Sequence, residues 1–246
     1  MTMNNEEVIL GYVLKSTPYK EKDAIINVLS EDGIHTFKAK GVLNPASKNA
    51  SSCLLYSYSE FTVQKSKYSS HLALLKGKNL DSNYKLYDSL DYMCCIGLIV
   101  EAILNFLDNP STFIFESLKT TFKGLNEGFD IFTLTAIMLA KIILETGYGL
   151  ETSNCVKCGS KTKIVSFSYE EGGFICLKCL SSNVNKDNND YLKSIRYIFM
   201  VDIDNYFHYT LNKKIAIRII KELMEYIKNQ FDFKKLGFYE LFLQSY

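Results

Sequence analysis

The sequence predicts an α+β protein in which a small N-terminal five-stranded β-barrel precedes an α-helical domain with an inserted four-cysteine hairpin. Three observations predict this fold class. Residues 6–80 consist of short runs rich in β-branched and aromatic residues, whereas the chain from residue 81 onward shows the apolar periodicity of helices. Two C-x-x-C pairs interrupt the helical part at about residues 150–181. We therefore expect one domain over residues 1–80 and a second over residues 81–246.

Turn signals divide the first domain into five strand-like segments. These signals are Thr17-Pro18, Glu31-Asp32-Gly33 and the polar link over residues 41–52. Five short strands in so short a stretch suggest a closed barrel, for which the oligonucleotide/oligosaccharide-binding (OB) fold is the usual five-stranded solution. The predicted strands are Glu7–Ser16, Lys22–Ser30, Ile34–Lys40, Leu54–Lys65 and Ser70–Lys76.

Long segments of helical periodicity follow from Asp81. Asn109-Pro110 and Gly128 separate the first three, and Gly147 and Gly149 end the third, because glycine readily adopts the left-handed conformation found at helix C-termini. Helical patterns resume after the cysteine segment and a polar spacer. The predicted helices are Tyr84–Leu107, Thr112–Leu125, Ile131–Thr146, Tyr191–Phe199, Lys213–Asn229 and a last segment near Lys234–Leu243.

The composition is that of a globular protein, with 47% apolar and 22% charged residues. The most apolar windows, Met93–Leu107 and Ile131–Leu144, are shorter than the roughly 20 residues that span a bilayer, and each contains a charge. The N-terminus lacks the basic and then apolar pattern of a signal peptide. We therefore expect a soluble intracellular protein that contacts no membrane.

Four cysteines stand in the spacing C-x2-C-x17-C-x2-C, namely Cys155, Cys158, Cys176 and Cys179. The alternating run Lys163–Tyr169 and the returning run Phe174–Cys176 predict a hairpin that presents the two pairs to each other, and Gly159 suits a tight turn. Four thiolates complete a tetrahedral shell around zinc and leave no position for a reactive water. The sequence therefore predicts a structural zinc site.

Three other interpretations of the cysteines compete with zinc. Disulfides are uncommon in a reducing compartment, and Cys53, Cys94 and Cys95 have the appearance of ordinary buried thiols. A redox C-x-x-C needs only one pair, next to a βαβ unit that this sequence lacks. An iron–sulfur cluster uses the same ligand type but usually shows tighter clustering.

The sequence offers no catalytic constellation. Its histidines, His35, His71 and His208, have no partner at metal-ligand or triad spacing, and the common nucleophile, zinc-protease and phosphate-loop motifs are absent. We expect no catalytic residues and interpret the chain as a binding protein rather than an enzyme.

A basic segment is the strongest binding signal, since residues 36–80 contain seven lysines against the single acid Glu60. Strand alternation directs Phe37 into the barrel and the neighbouring lysines outward. Alternation would also place Lys65 on the same inward face as Phe61 and Val63, so the fourth strand must end or bulge before residue 65. Lysines beside aromatics on a small barrel suit single-stranded nucleic acid. In the alternative interpretation the lysines only solubilise the surface and the two phenylalanines are core. The candidate DNA contacts are Lys38, Lys40, Lys48, Lys65 and Lys67.

The order of these parts, together with several local runs, resembles a known family. The runs are Tyr19-Lys20-Glu21-Lys22-Asp23, Asp32-Gly33 leading to Ala39-Lys40-Gly41, Gly147-Tyr148, Cys155-x-x-Cys158-Gly159, and Gly172-Gly173 before Cys176-x-x-Cys179. Over nearly the whole chain the combination is similar to the bacterial RecO family of recombination mediators. Lys40 and Lys48 match basic positions of that family, although the run after Gly41 is otherwise less basic than is typical.

The resemblance implies a non-enzymatic cytoplasmic protein, associated with the nucleoid, that binds single- and double-stranded DNA and anneals complementary strands. It also implies partnership with RecR and contact with the C-terminal tail of single-stranded-DNA-binding protein, so that RecA can load. The zinc would be structural. A tail-binding pocket needs apolar walls and a cation, for which Lys119, Lys123 and Lys141 are candidates. The rival interpretation is a zinc-ribbon adaptor that binds protein and no nucleic acid.

Overall fold

The computed structural model describes residues 6–65, 72–231 and 236–246. The chain divides into two compact units. The first comprises Met1–Leu86 and Asn109–Glu116, and the second comprises Tyr87–Asp108 and Ser117–Tyr246. The return of residues 109–116 to the first unit has no counterpart in the sequence-based division at residue 80.

The first unit contains a closed barrel with strand order β1-β2-β3-β5-β4, which confirms the predicted OB-type fold. All neighbouring pairs are antiparallel except β3 and β5, which run parallel. The strands are β1 (Glu6–Tyr19), β2 (Asp23–Ser30), β3 (Gly33–Ala39), β4 (Tyr58–Lys65) and β5 (Leu72–Asp81). The barrel core contains Ile9, Val13, Ala24, Ile26, Val28, Phe37, Ala39, Val42, Cys53, Phe61 and Val63.

Several strand boundaries differ from the prediction. Thr17-Pro18 was predicted to be a turn, but Thr17 pairs with Ile25 and Pro18 with Ala24 in β1 and β2. The turn lies after β1, where Lys20 has a φ of 61°. The prediction failed because proline is tolerated close to a strand end, where few ladder hydrogen bonds are lost.

The predicted fourth strand began too early. A short 3-10 turn over Ser51–Cys53 and a left-handed residue, Tyr56 with φ 64°, occupy the chain just before β4. The parity argument required the fourth strand to end or bulge before residue 65, but β4 keeps its alternation and continues to Lys65, its exposed last residue. The register shift between Thr62 and Val63 places the extra residue, Leu75, on β5. The predicted start of the fifth strand, Ser70, lies outside the described residues, and the strand continues to Asp81.

Residues 109–116 contact the turn between β2 and β3 within the first unit. Thr112 Oγ1 donates a hydrogen bond of 2.8 Å to the carbonyl of Glu31. Gly33 has a φ of +120°, and a Cβ atom there would collide with Asn109 Oδ1. Phe115 packs its ring against that of Tyr12, with centroids 5.9 Å apart. These contacts explain why a segment from the helical part of the sequence belongs to the barrel unit.

The predicted helical part is confirmed with small changes at its ends. Ser89 accepts a hydrogen bond from Tyr92 N and begins the first helix, so that the predicted start at Tyr84 instead forms a 3-10 turn. Gly147 has a φ of +80° just after the third helix. The helices are α1 (Leu90–Phe106), α2 (Thr112–Asn126), α3 (Ile131–Glu145), α4 (Asn189–Met200), α5 (Lys213–Phe231) and α6 (Gly237–Ser245).

The apolar helices α1 and α3 lie in the core of the second unit. Every residue of α3 from Ile131 to Ile143 is buried, which accounts for its nearly continuous apolar sequence. Within the described ranges, no helix combines the length and apolar character needed to cross a bilayer.

Candidate metal centre and nucleic-acid interface

The four-cysteine segment forms a small sheet in the second unit. Strand β7 (Ile164–Ser168) pairs antiparallel with β8 (Gly173–Cys176), which confirms the predicted hairpin. A third strand, β6 (Glu151–Cys155), pairs parallel with β8 and was not predicted. The polar sequence of β6 has no clear alternation, so the local pattern did not reveal it.

The sheet brings the sulfur atoms of Cys155, Cys158, Cys176 and Cys179 within 4.8 Å of one another. The Sγ atoms of Cys158 and Cys176 are 3.6 Å apart. A tetrahedral site with Zn–S bonds of about 2.3 Å places its sulfurs roughly 3.8 Å apart, so the cluster has the size of such a site. All seven cysteines are free, and the four sulfurs could bind a metal ion.

Backbone donors favour a thiolate in this cluster. Burial raises the pKa of Cys155, but hydrogen bonds from the backbone N–H groups of Cys176, Cys158 and Lys157 outweigh it and lower the pKa to about 6. A hydrogen bond with Cys158 and burial raise the pKa of Cys179 to about 12. The sulfurs therefore compete for protons at close range, and a bound cation would replace those protons.

The two arginines of the chain both brace this sheet. Arg196 donates from Nε to the carbonyl of Thr152 at 3.2 Å and lies over the ring of Phe174. Arg218 donates to Asp187 at 3.2 Å and to Glu222 at 2.7 Å. Neither arginine is among the candidate DNA contacts proposed from the sequence.

Asp187 connects the brace to the hairpin itself. Its Oδ2 atom accepts hydrogen bonds of 2.9 Å from Ser166 Oγ and from Phe167 N on β7. Glu222, the second carboxylate that Arg218 contacts, accepts a hydrogen bond of 2.5 Å from the hydroxyl of Tyr191 on α4. This network fixes the four-cysteine hairpin to α4 and α5.

The predicted DNA contacts lie on two parts of the barrel. Lys38 is half-buried at the end of β3, and Lys40 follows it and is exposed. Phe37 of β3 pairs with Leu72 of β5, and Leu72 pairs with Lys65 of β4. Lys65 therefore lies at the same level of the barrel as Phe37, with one strand between them. The structure thus brings Lys38, Lys40 and Lys65 to one end of the barrel.

Lys48 is placed elsewhere. Its neighbour Asn49 accepts a hydrogen bond of 3.0 Å from Gly77 N, which holds the link between β3 and β4 against β5. Gly77 is about 16 Å along β5 from Leu72 at about 3.3 Å per residue. Lys67 lies outside the described residues.

The aromatics chosen from the sequence are core residues. Phe37 points into the barrel as predicted, and its ring centroid is 5.0 Å from that of Phe61, with both side chains buried. An exposed ring instead comes from Tyr19 at the end of β1, next to Lys20 and Lys22. The candidate DNA contacts proposed from the sequence do not include these residues, although the family-like run at 19–23 contains them.

Serine, aspartate and histidine meet at the turn between β2 and β3. Asp32 Oδ1 accepts from Ser30 Oγ at 2.5 Å and contacts His35 Nε2 at 2.9 Å. The hydrogen bond from Ser30 and that with His35 lower the pKa of Asp32. The carboxylate lies between the other two groups, so the histidine does not contact the serine hydroxyl. A histidine that activates a serine nucleophile must contact that hydroxyl directly. This cluster stabilises the turn.

A cavity with a cation, two aspartates and aromatic side chains in its lining occurs in the second unit, but not at the predicted lysines. Lys141 is buried, whereas Lys119 and Lys123 are exposed on α2. A cavity of about 600 Å³ is lined by Phe129, Phe132 and Lys213, among other residues. The ammonium of Lys213 lies 4.4 Å from the centroid of the Phe132 ring.

These features define a two-part class of protein, in which an OB-type barrel precedes a helical unit that carries a four-cysteine hairpin. A family model described as recombination protein O N terminal matches residues 3–82. A second, described as recombination protein O C terminal, matches residues 87–236. The chain belongs to the recombination protein O (RecO) family, which confirms the resemblance seen in the sequence.

Several curated proteins are similar to this chain over most of its length, and each is named DNA repair protein RecO. That of Mesoplasma florum is 28% identical over 234 residues, covering 92% of this chain and 86% of the relative. That of Caldicellulosiruptor bescii is 27% identical over 242 residues, covering 93% and 96%. That of Bacillus subtilis is 27% identical over 176 residues, covering 70% and 68%.

Proposed function

We propose that this chain is a non-enzymatic DNA-binding mediator of recombinational DNA repair. It binds and anneals DNA strands and, with RecR, helps load RecA onto strands coated by single-stranded-DNA-binding protein. The observation that carries this proposal is family membership across both units, from residue 3 to 82 and from 87 to 236. The relatives' shared name, DNA repair protein RecO, supports the repair role.

The barrel supplies the DNA contacts. Lys38, Lys40 and Lys65 converge on one end, and Lys48 with the exposed Lys76 and Lys78 adds charge along β5. A lysine acts as a point charge on a phosphate and does not read bases, so binding by these residues is tolerant of sequence. Unpaired strands and duplexes both present such phosphates.

The hairpin holds zinc in a structural role. Four sulfurs of tetrahedral size suit zinc, and four protein ligands exclude a reactive water. When bound, the ion would join the two C-x-x-C turns, while Arg218 and Asp187 hold the resulting sheet to the helices. Zinc and iron give different metal analyses and spectra, so elemental analysis of the purified protein distinguishes them.

The cavity at Lys213 is the proposed site for the tail of single-stranded-DNA-binding protein. Phe129 and Phe132 provide apolar walls, and Lys213 provides a cation for an acidic or carboxylate-bearing peptide. Asp91 already pairs with Lys213 at 3.4 Å, so a peptide carboxylate would compete with Asp91 for the ammonium. This site replaces the lysines proposed from the sequence.

The test is annealing of complementary oligonucleotides, either bare or coated with the cognate single-stranded-DNA-binding protein. We expect this protein to accelerate annealing of both, and a Lys213→Gln variant to lose acceleration only on coated strands. Failure of the unaltered protein on bare and coated strands alike would contradict the proposal.

A second candidate function is a zinc-ribbon adaptor that binds protein without nucleic acid. It is favoured by two apolar side chains at equivalent positions of the two C-x-x-C turns, Val156 and Leu177, which are 39% and 45% exposed. If the adaptor function is the correct one, a Val156→Ser/Leu177→Ser variant loses RecR binding, while neither it nor the unaltered protein binds DNA.

A further inference from the structure

The turn between β1 and β2 presents an exposed aromatic ring among lysines. Tyr19 ends β1, pairs in register with Asp23, and is 44% exposed. The flanking side chains of Lys20 and Lys22 are also exposed. The buried rings of the barrel core cannot reach a ligand, so Tyr19 differs from them in being available to one.

Contacts between two loops place lysines around this ring. The ammonium of Lys38 lies 4.5 Å from the ring centroid of Tyr19, and that of Lys20 lies 5.7 Å from it. The backbone of Leu43 donates a hydrogen bond of 3.0 Å to the carbonyl of Lys22, which ties the β1–β2 turn to the link after β3. Lys40 is exposed and directly precedes Gly41, at the start of the link after β3.

Asp23 holds the arrangement together. Its Oδ1 atom accepts a hydrogen bond of 2.9 Å from Gly41 N, and its Oδ2 atom lies 3.3 Å from Lys38 Nζ. One carboxylate therefore fixes both the turn that follows Lys40 and the ammonium that covers Tyr19. Asp23, Lys38 and the Tyr19 ring are therefore held in a fixed arrangement by specific contacts.

We propose that Tyr19 is the platform on which one unpaired base of single-stranded DNA stacks, with Lys20, Lys38 and Lys40 on the flanking phosphates and Asp23 as a positioning residue. This inference rests on the proposed DNA-binding function. Stacking on an aromatic ring tolerates any base and is stronger than an exposed cation–π contact, so a base can take a ring face while the ammonium turns to phosphate. Bases in a duplex are not free to stack in this way. Tyr19 therefore contributes to single strands and not to duplexes.

The chain contains no tryptophan, which allows a direct test. A Tyr19→Trp variant carries a single tryptophan at the proposed platform, which can be excited selectively over the tyrosines, and Tyr209→Trp, at an exposed tyrosine of the second unit, is the matched control. We expect a poly-dT oligonucleotide to quench the fluorescence of the Tyr19→Trp variant strongly and that of the Tyr209→Trp variant weakly. An abasic oligonucleotide of the same length keeps the phosphates and should leave the Tyr19→Trp variant largely unquenched.

Affinity measurements complete the test. We expect Tyr19→Ala to weaken binding of single strands roughly 5- to 150-fold, the range of stacking on one aromatic, and to leave duplex binding unchanged. Tyr19→Phe keeps the ring and should retain the affinity, which separates stacking from folding. Equal quenching by abasic DNA, or an unchanged affinity of Tyr19→Ala, overturns the platform. Absence of DNA binding by the unaltered protein overturns the proposed function together with it.

The positioning role of Asp23 is tested in the Tyr19→Trp background. Asp23→Asn keeps an oxygen that can accept from Gly41 N but removes the negative charge that holds the Lys38 ammonium, so it should reduce the quenching reached at saturation. Glu21→Gln removes a neighbouring exposed carboxylate and should have no effect. Quenching that is unaltered by Asp23→Asn would show that Asp23 does not position the site.

Discussion

Lys141 lies in α3 with 3% of its surface exposed, and its ammonium donates hydrogen bonds of 3.0 and 2.8 Å to the carbonyls of Phe199 and Val201 at the end of α4. A lysine in a helix of a binding protein suggests a surface cation, and the sequence offered it as one. In the structure Lys141 is instead a buried residue, because its ammonium donates to carbonyl groups at the end of α4 that have no hydrogen-bond partner within the helix.

Burial gives Lys141 a specific effect on stability. It lowers the pKa of Lys141 to about 8, against an ordinary value of 10.5. Between these values the unfolded chain binds a proton that the folded chain does not, so the contribution of Lys141 to the free energy of unfolding rises with pH. The rise begins near pH 8 and amounts to about 2 kcal/mol by about pH 9.5.

Urea unfolding of Lys141→Met between about pH 7.5 and 9.5 tests this effect. We expect the unaltered protein to gain stability relative to the variant as the pH rises, because methionine has no proton to lose. Lys123→Met, at an exposed lysine of α2, should behave as the unaltered protein. The range stops below about pH 10 because tyrosines such as Tyr206, whose pKa burial raises to about 12, act in the opposite direction. Parallel curves for all three proteins would contradict the assignment.

At the scale of secondary-structure elements, the sequence identified most of the parts but misplaced several boundaries. Glycine and proline were interpreted as turn signals, and this failed at Pro18, which lies inside β1. Strand β6 was missed because its residues carry no alternation and its partner, β8, follows the intervening strand β7 in sequence. Such errors have one physical cause, since strand pairing depends on residues that are distant in sequence.

The four-cysteine sheet is the element to whose stability a bound metal should contribute most. Its strands have only four or five residues each, although those of β8 are all buried. A Cys176→Ser variant should lose the bound metal and lower the melting temperature of the second unit, because metal binding in such a site is coupled to folding. Elemental analysis and calorimetry measure the two effects.

The matched control for this prediction is Cys53→Ala, which removes a buried thiol of the barrel rather than a ligand of the cluster. It should keep one metal ion per chain. A Cys176→Ser protein that retains the metal, or that melts as the unaltered protein does, would show that the four sulfurs do not form a structural site.

For the whole molecule, the near-neutral net charge of +1 conceals the basic segment that the proposed function uses. Replacement of Lys38, Lys40 and Lys48 by glutamine should weaken DNA binding and lower the salt dependence, by about one unit of slope for each lysine–phosphate interaction removed. Replacement of three exposed lysines of the second unit, Lys161, Lys186 and Lys193, removes the same charge and should change the slope much less.

Fluorescence anisotropy of a labelled oligonucleotide between low and physiological salt measures these slopes. Equal slopes for the two triple variants would mean that the lysines act through total charge and not through a defined surface. An affinity of the unaltered protein that is independent of salt would contradict electrostatic binding by the barrel.

The sequence by itself determined the class of fold, the order of the two parts, the cysteine cluster and the family. These features depend on local periodicity and short spacings, such as the two C-x-x-C turns, which few alternative structures can satisfy. The tertiary structure alone decided which lysines share a surface, that Lys141 is buried, that Arg196 and Arg218 brace the hairpin, and that Tyr19 stands exposed beside Lys38. Each of these depends on contacts between residues far apart in the chain, and no local pattern records such contacts.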